Sequence, residues 1–306
     1  MKISEKLKII LKILGYSQEK LAHTIWVSFP TINSWINEKS IPHKKTAKKI
    51  DELYLELTGQ NIIPDSEIKS KKKLIIQKSK INALDFILSR KDIYDQFLLS
   101  LTYNTNNIEW STLTENETAL ILFQNKTIKN KTLIEQLEAK NHQSALIFLF
   151  NYLKKNENNP INEELVLKLH SILMNWILEN AWIYRNHSVR ILWTNIITAN
   201  FLKIPILIKE LFIEFYKNND DIIKKSTVFH SNFEKIHPFS DWNWRIWRLL
   251  MNAILLKNSI FPALIKQEKK HIYYKVLSHA QEKKDFSLLE NFICDSIFDS
   301  FELIKI

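Results

Sequence analysis

Residues 237–248 read HPFSDWNWRIWR. His237, Asp241, Asn243, Arg245 and Arg248 fall inside this one short stretch. Small polar and charged residues set so closely mark a place where a backbone comes near a charged ligand. Taken alone, His237 is a weak signal, because single histidines are mostly structural. Trp242, Trp244 and Trp247 interrupt the run, and an indole is poorly suited to letting main chain approach a ligand. The single cysteine, Cys294, cannot form an internal disulfide and lies in an apolar helical pattern. It therefore reads as a buried, inert thiol rather than a nucleophile.

The elements that position this stretch are helical. Apolar residues recur at helical spacing over 82–100, 114–124, 129–154, 162–178, 207–217, 221–235, 244–257 and 262–303. No heptad array or fixed-period repeat is present. The exception is 189–204, VRILWTNIITANFLKI, where β-branched residues flank a polar Thr-Asn pair, the pattern of a short hairpin. Residues 3–57 form a separate helical module. Ser17 is a candidate N-cap with Lys20 where a capping-box Glu would sit, and SFPTINSWIN and IPHKKTAKKIDELYLEL supply the later helices. The lysine-rich, Pro64-containing stretch 61–80 reads as the interdomain connection, and Lys71–Lys73 as a solvated face.

Composition bounds the partners. The 306 residues carry a net charge of +10. Residues 1–80 hold sixteen Lys against eight Asp or Glu, a balance of +8. A basic module ahead of a nearly neutral domain points to an anionic partner, most simply DNA. A lysine-rich genomic background is the plainer explanation. No apolar run reaches the roughly 18 residues that span a bilayer, and the start lacks a signal-peptide core, so a cytoplasmic protein with no membrane partner is expected. Glycine is scarce: Gly15 and Gly59 are the only two, against nine tryptophans. Ordinary usage predicts roughly 20 glycines.

The residues 3–57 resemble the phage-repressor-type helix-turn-helix, with Gln18, Ala22, Val27, Ile32 and Trp35 at that family's helix-start, packing and core positions. Trp26 stands where the tight turn usually has glycine. The resemblance implies that Ser28, Thr31, Asn33 and Ser34 meet base edges or phosphates of DNA. The alternative is a bundle that only mediates dimerisation.

IHPFSDWNWRIWRLLMN is similar to the signature of Fic-domain proteins: His-Pro-Phe, any residue, Asp or Glu, Gly-Asn-Gly-Arg, two residues, Arg. Every non-glycine position agrees, and Trp242 and Trp244 replace the two required glycines. The same exchange recurs elsewhere. Trp182 falls in the segment resembling the family's Ala-Gly-x-Tyr-Arg, Trp193 at the entry to the flap hairpin, and Trp110 in IEWSTLT, where the family has Ile-Glu-Gly-Asn-x-Leu-Thr. With Trp176, Trp247 and Trp26, eight of the nine tryptophans stand at expected glycine positions, leaving Trp35 as a true indole. A gene whose UGA codons mean glycine, translated by a table that reads UGA as Trp, produces this pattern.

The resemblance implies an all-α fold: an N-terminal helix-turn-helix bundle (1–60), a linker (61–84), and an α-helical Fic domain (85–306) with a short β-hairpin flap and an inhibitory helix near 100–110. It further implies a bacterial protein adenylyltransferase moving AMP from ATP to a Ser, Thr or Tyr hydroxyl of a protein target. His237 would be the general base and Asp241 the Mg²⁺ ligand. The phosphate site would comprise Asn243, Arg245 and Arg248, with positions 242 and 244 lining it. Phe239 would anchor the loop. Backbone N–H groups at a helix start would cradle the phosphates, and Trp242 and Trp244 as written would impair ATP binding and activity. TNNIE, from Thr105 to Glu109, followed by Trp110, fits the family's inhibitory pattern, with Glu109 pairing Arg248. The flap would align a target by strand addition. His142, His187 and His230 are read as structural. A homodimer is left open. Two alternatives are a DNA-binding regulator with an inert Fic domain, and a deAMPylase that uses Glu109 to position water.

Overall fold

The computed structural model describes residues 2–58, 63–79, 81–157, 159–179, 181–191, 196–218 and 220–305. It divides into two compact units, 1–64 and 65–306.

The first unit holds α1 (Ile3–Leu14), α2 (Gln18–Thr24), α3 (Phe29–Ile36) and α4 (Lys44–Thr58). The cap expected at Ser17 forms. Ser17 accepts a hydrogen bond from the Lys20 N–H at 3.2 Å, and α1 ends at Gly15, whose φ of 62° suits a residue without Cβ. Leu7, Ile10, Leu21, Ile32, Trp35 and Ile50 belong to one buried cluster that ties the four helices together. Trp35 is thus a core side chain, as its helical spacing requires.

The second unit is also helical: α5 (Asp65–Lys78), α6 (Ala83–Ser89), α7 (Lys91–Ile108), α8 (Glu115–Gln124), α9 (Leu133–Lys155), α10 (Glu163–Leu173), α11 (Ile204–Lys217), α12 (Ile222–Ile236), α13 (Asn243–Lys257), α14 (Lys270–Lys283) and α15 (Ser287–Leu303). Helix α13 is buried along nearly its whole length and packs against α12, α9, α10 and α7. It is the central rod of the unit. Threonine capping boxes start the neighbours: Thr114 with Glu117 opens α8, and Thr132 with Glu135 opens α9.

Three expectations change. The apolar pattern over 82–100 breaks at Arg90, whose extended backbone separates α6 from α7. The pattern over 262–303 divides at Lys284, which adopts the left-handed conformation. The lysine-rich stretch is no open connection, because α5 lies on α15 with Ile68 and Ile75 buried. Lys71 bonds Asn291 and Asp295, both at 2.7 Å. Lys72 pairs with Asp221 at 2.7 Å and with the buried Glu290. Two of the three lysines read as a solvated face are therefore clamps, their partners lying between 149 and 224 residues away in sequence.

No strand forms among the described residues, so the hairpin expected over 189–204 is not seen as one; Trp193 and its neighbours 192–195 lie outside them. The two arms are instead joined by the Thr198 hydroxyl, which donates to the Val189 carbonyl at 2.7 Å. Residues 201–203 form a 3-10 turn that runs into α11. No helix is long and apolar enough to cross a membrane among the described residues.

Candidate active site

The site is built where α12 ends and α13 begins. His237 closes α12 in the left-handed region, φ 50° and ψ 65°, with its N–H bonded to the Phe233 carbonyl. The loop then folds back on itself through Asn243, whose side-chain oxygen accepts from the Phe239 N–H while its amide donates to the Phe239 carbonyl, both at 2.8 Å. Each end of the Asn243 amide thus makes one bond that shapes the loop. Phe239 is fully buried and stacks on His170 with ring centroids 3.8 Å apart. It anchors the loop as its apolar character suggests. Burial lowers the His170 pKa to about 4, so the ring that backs the loop is neutral.

Arg185 fixes the other side of the loop. Nearly buried, it donates Nε to the His237 carbonyl at 2.7 Å, Nη1 to His187 at 2.7 Å, and Nη2 to the Ala199 and Ile236 carbonyls at 2.6 and 3.2 Å. Its own N–H reaches the Pro238 carbonyl. One guanidinium therefore satisfies carbonyls at the end of α12 and ties the 187–199 segment to them. Sequence reading did not assign this role. The signal was present only as the Tyr-Arg of the 184–185 pair.

Asp241 is exposed and accepts the Trp242 N–H at 2.7 Å through one oxygen. Trp242, the N-cap of α13, has φ 68° and offers no side-chain cap. The first N–H groups of α13 are therefore available to an anion. Among the described residues no cluster of three or more His, Cys, Asp or Glu is arranged to hold a metal alone.

The two arginines of the stretch face opposite partners. Arg245 pairs with Glu138 of α9 at 3.0 Å and lies 3.9 Å over the Trp242 ring. Burial raises the Glu138 pKa, with the Arg245 charge opposing that rise. Arg248 donates Nη2 to Glu109 at the end of α7 at 2.8 Å, and more weakly to the Thr105 carbonyl at 3.4 Å. Burial disfavours the Arg248 charge, but the Glu109 carboxylate more than offsets it and raises the pKa. The structure thus joins Thr105 and Glu109 to the stretch, Thr105 through its main chain. Glu138 was not anticipated.

The other singled-out histidines pack. His142 meets the Thr102 hydroxyl at 3.0 Å and His230 the Tyr273 hydroxyl at 3.0 Å. Burial first, and then nearby arginine charge, pushes both rings well below the usual histidine pKa. His187 is exposed. Burial lifts the Cys294 thiol to about 12, consistent with an inert core residue.

The tryptophans fall into groups. Trp26, Trp110, Trp176 and Trp242 have φ of 64°, 90°, 63° and 68°, a region where a bulky L residue is an outlier. The first three are 85%, 75% and 87% exposed. Trp182 is exposed without positive φ. Trp244 lies in α13 against Tyr273 and Tyr274. Trp247 is fully buried, stacked on His230 at 4.4 Å.

In the first unit, Ser28 stands at the N-cap position of α3 without a side-chain cap bond and is exposed, with its hydroxyl 2.8 Å from that of Thr31. Asn33 donates to Gln18 at 3.1 Å and Ser34 meets Ser40 at 2.7 Å. These four residues lie on or at the start of α3.

Residues 160–255 match the Fic/DOC family profile. The second unit carries a Fic domain. Residues 7–54 match a helix-turn-helix profile, so the Fic domain follows a helix-turn-helix in the same chain. A probable protein adenylyltransferase of Aquifex aeolicus is 29% identical over 50% of this chain and 52% of its own length. The protein adenylyltransferase Fic of Nematostella vectensis is 26% identical over 62% of this chain and 44% of its own. The chain spans about half or less of the length of these curated relatives. Among solved structures, a Fic-domain-containing signalling protein from Bacteroides thetaiotaomicron aligns with TM-score 0.63 and 22% identity, covering 78% of this chain and 97% of that one. Fic-1 of Caenorhabditis elegans gives TM-score 0.68 at 21% identity over 86% of this chain and 78% of its own. These likenesses establish the fold.

Proposed function

We propose that this chain is a protein adenylyltransferase of the bacterial cytoplasm, moving AMP from ATP to a Ser, Thr or Tyr hydroxyl of a protein target, and that Glu109 restrains it. The observation that supports this most is the Arg248–Glu109 pair at 2.8 Å: a buried phosphate-binding arginine of the signature is occupied by the carboxylate that the inhibitory pattern names.

In this reading His237 accepts the proton of the target hydroxyl as its oxygen attacks the α-phosphorus. The bond from the α-phosphorus to the bridging oxygen breaks, and pyrophosphate leaves with the electron pair. The N–H groups opening α13 face the phosphates. Arg245 and Arg248 hold them and offset charge on the leaving group. Asp241 suits a hard cation shared with phosphates: it is exposed, and only one of its oxygens is engaged by the neighbouring N–H. A magnesium ion held there would offset phosphate charge. Asn243 serves by closing the loop. The 188–200 segment presents the target chain.

The reading includes glycine, in the natural protein, at the eight tryptophan positions named above. The left-handed φ at four of them supports this. Incubation of the Trp242→Gly, Trp244→Gly, Glu109→Gly protein with α-labelled ATP tests the activity. Transfer that vanishes with His237→Ala is expected; no transfer in the His237-containing protein sinks the proposal.

A second reading, a DNA-binding regulator with an inert Fic domain, is favoured by the Trp242 indole lying under Arg245, where it crowds the phosphate site. The basic helix-turn-helix unit binds DNA under either reading.

A further inference from the structure

One buried charge at the site has no part in the roles above. Glu234 sits on the last turn of α12 and is 0% exposed. Neither of its carboxylate oxygens has a hydrogen-bond partner, and neither does Nδ1 of His237, among the described residues. The two groups face each other: Oε2 lies 3.6 Å from Nδ1, the i,i+3 spacing of one helix turn. An isolated buried carboxylate is costly unless it meets a cation or a donor. The charged groups around it are His237 at the end of its own helix, Arg248 from α13 and Glu109 from α7. Arg248 is held by Glu109 through Nη2, its Nε and Nη1 being without a bond among the described residues, and it is the imidazole Nδ1 that lies 3.6 Å from the Glu234 carboxylate.

The main chain of His237 is fixed independently of its ring. Its carbonyl accepts from Arg185 and its N–H bonds Phe233. That frame sets the Cα–Cβ direction and leaves rotation of the imidazole, and the choice of tautomer, to whatever meets Nδ1.

We propose that Glu234 is the positioning residue of His237: it accepts the Nδ1–H of the imidazole and so presents an unprotonated Nε2 to the incoming hydroxyl. This rests on the transferase reading for its use in catalysis, though the pairing itself does not. In the step, the hydroxyl proton moves to Nε2 while its oxygen bonds the α-phosphorus and pyrophosphate departs. The imidazolium so formed keeps Nδ1–H against Glu234, whose negative charge stabilises it until Nε2 releases the proton to water. Burial raises the Glu234 pKa, and the facing His237 and the Arg248 charge oppose that rise.

The test begins on the unmutated full-length chain with ¹⁵N-labelled histidine, His237→Ala assigning the resonance. A His237 Nδ1–H tautomer, with its proton slowed in exchange, is expected; an Nε2–H tautomer or a freely averaging ring overturns the pairing. Glu234→Gln is then compared in the Trp242→Gly, Trp244→Gly, Glu109→Gly background. Its kcat is expected to fall by at least about tenfold, with the KM for ATP within about twofold and the acid limb of the pH–rate profile displaced. Glu234→Asp is expected to recover part of the loss. Unchanged kcat and pH profile in a folded Glu234→Gln protein overturn the catalytic role. Absence of transfer in the parent removes the transferase reading alone, since the tautomer measurement still decides the pairing.

Discussion

Arg248 of α13 and Glu109 of α7 meet at 2.8 Å across the buried face of the Fic domain, 139 residues apart in sequence. The pair couples two properties with opposite signs. Removing the carboxylate frees the arginine for phosphate, yet leaves a buried cation with a lost charge-assisted bond. Glu109→Gly is therefore expected to raise automodification with labelled ATP in the Trp242→Gly, Trp244→Gly background and to cost about 1.5–3 kcal/mol of stability. A denaturant titration beside the labelling assay checks both; a variant that gains activity with unchanged stability contradicts the energetic half.

The exposed tryptophans at positive φ and the fully buried Trp247 respond differently to glycine. At Trp26, Trp110 and Trp176 the side chain is mainly exposed and the backbone left-handed. Glycine at each is expected to stabilise by roughly 1 kcal/mol, by relieving the Cβ clash of that conformation. Trp242→Gly adds opened space beside Arg245, seen as ATP binding by calorimetry. Trp247→Gly in the unaltered chain removes a stacked core ring and is expected to cost about 3–5 kcal/mol. Intact mass of protein purified from the source cell decides which residues are natural; agreement with the sequence as written ends the glycine proposal.

Arg185 is expected to be intolerant of lysine. Its guanidinium serves four main-chain carbonyls in fixed directions, and a single ammonium does not reproduce that fork. Arg185→Lys should lower the melting temperature and reduce transfer at least about tenfold by loosening the His237 loop. Equal activity and melting temperature would separate Arg185 from the site.

Acid stability follows from His170. Its folded pKa, about 4, lies below the ordinary 6.5 because burial disfavours the charged ring. The unfolded chain therefore binds the extra proton first. The contribution of His170 is fully present above pH 6.5 and is lost as pH falls toward 4, amounting to roughly 3 kcal/mol. His142 and His230 are shifted in the same direction and steepen the loss. Urea midpoints measured from pH 7 to 4 should fall, and His170→Gln should flatten the slope; parallel curves contradict the assignment.

For the helix-turn-helix unit, affinity for duplex DNA should fall linearly in log–log form with salt, as counterion release requires. Replacing Lys44, Lys45, Lys48 and Lys49 of α4 by Gln should reduce that slope only if α4 touches phosphate, whereas Thr31→Ala should alter sequence preference more than slope. Fluorescence anisotropy at several salt concentrations distinguishes these outcomes.

Short-range signals carried much of this. Helical spacing located most of the helices, and Ser17 forms the side-chain cap expected of it; Thr114 and Thr132, not singled out in the sequence, cap two more. The lysine run misled, because a charge reads as solvated until its partner is known, and Asp221, Glu290 and Asp295 come from far along the chain. The flap reading falls partly on residues 192–195, outside the described ones, and of its described arms Thr198 donates to the Val189 carbonyl.

By itself the sequence determined the HPF…D.N.R..R stretch, the Thr105–Glu109 pattern, the basic helix-turn-helix unit and the nearly all-helical character, since each depends on residue types at fixed local spacing. Tertiary structure alone decided that Asn243 shapes the loop, that Arg185 and Glu234 flank His237, and that Glu138 and Glu109 divide the two arginines between them. Ion pairs and buried hydrogen bonds are settled by which helix faces are pressed together, and that packing is a property of the whole core.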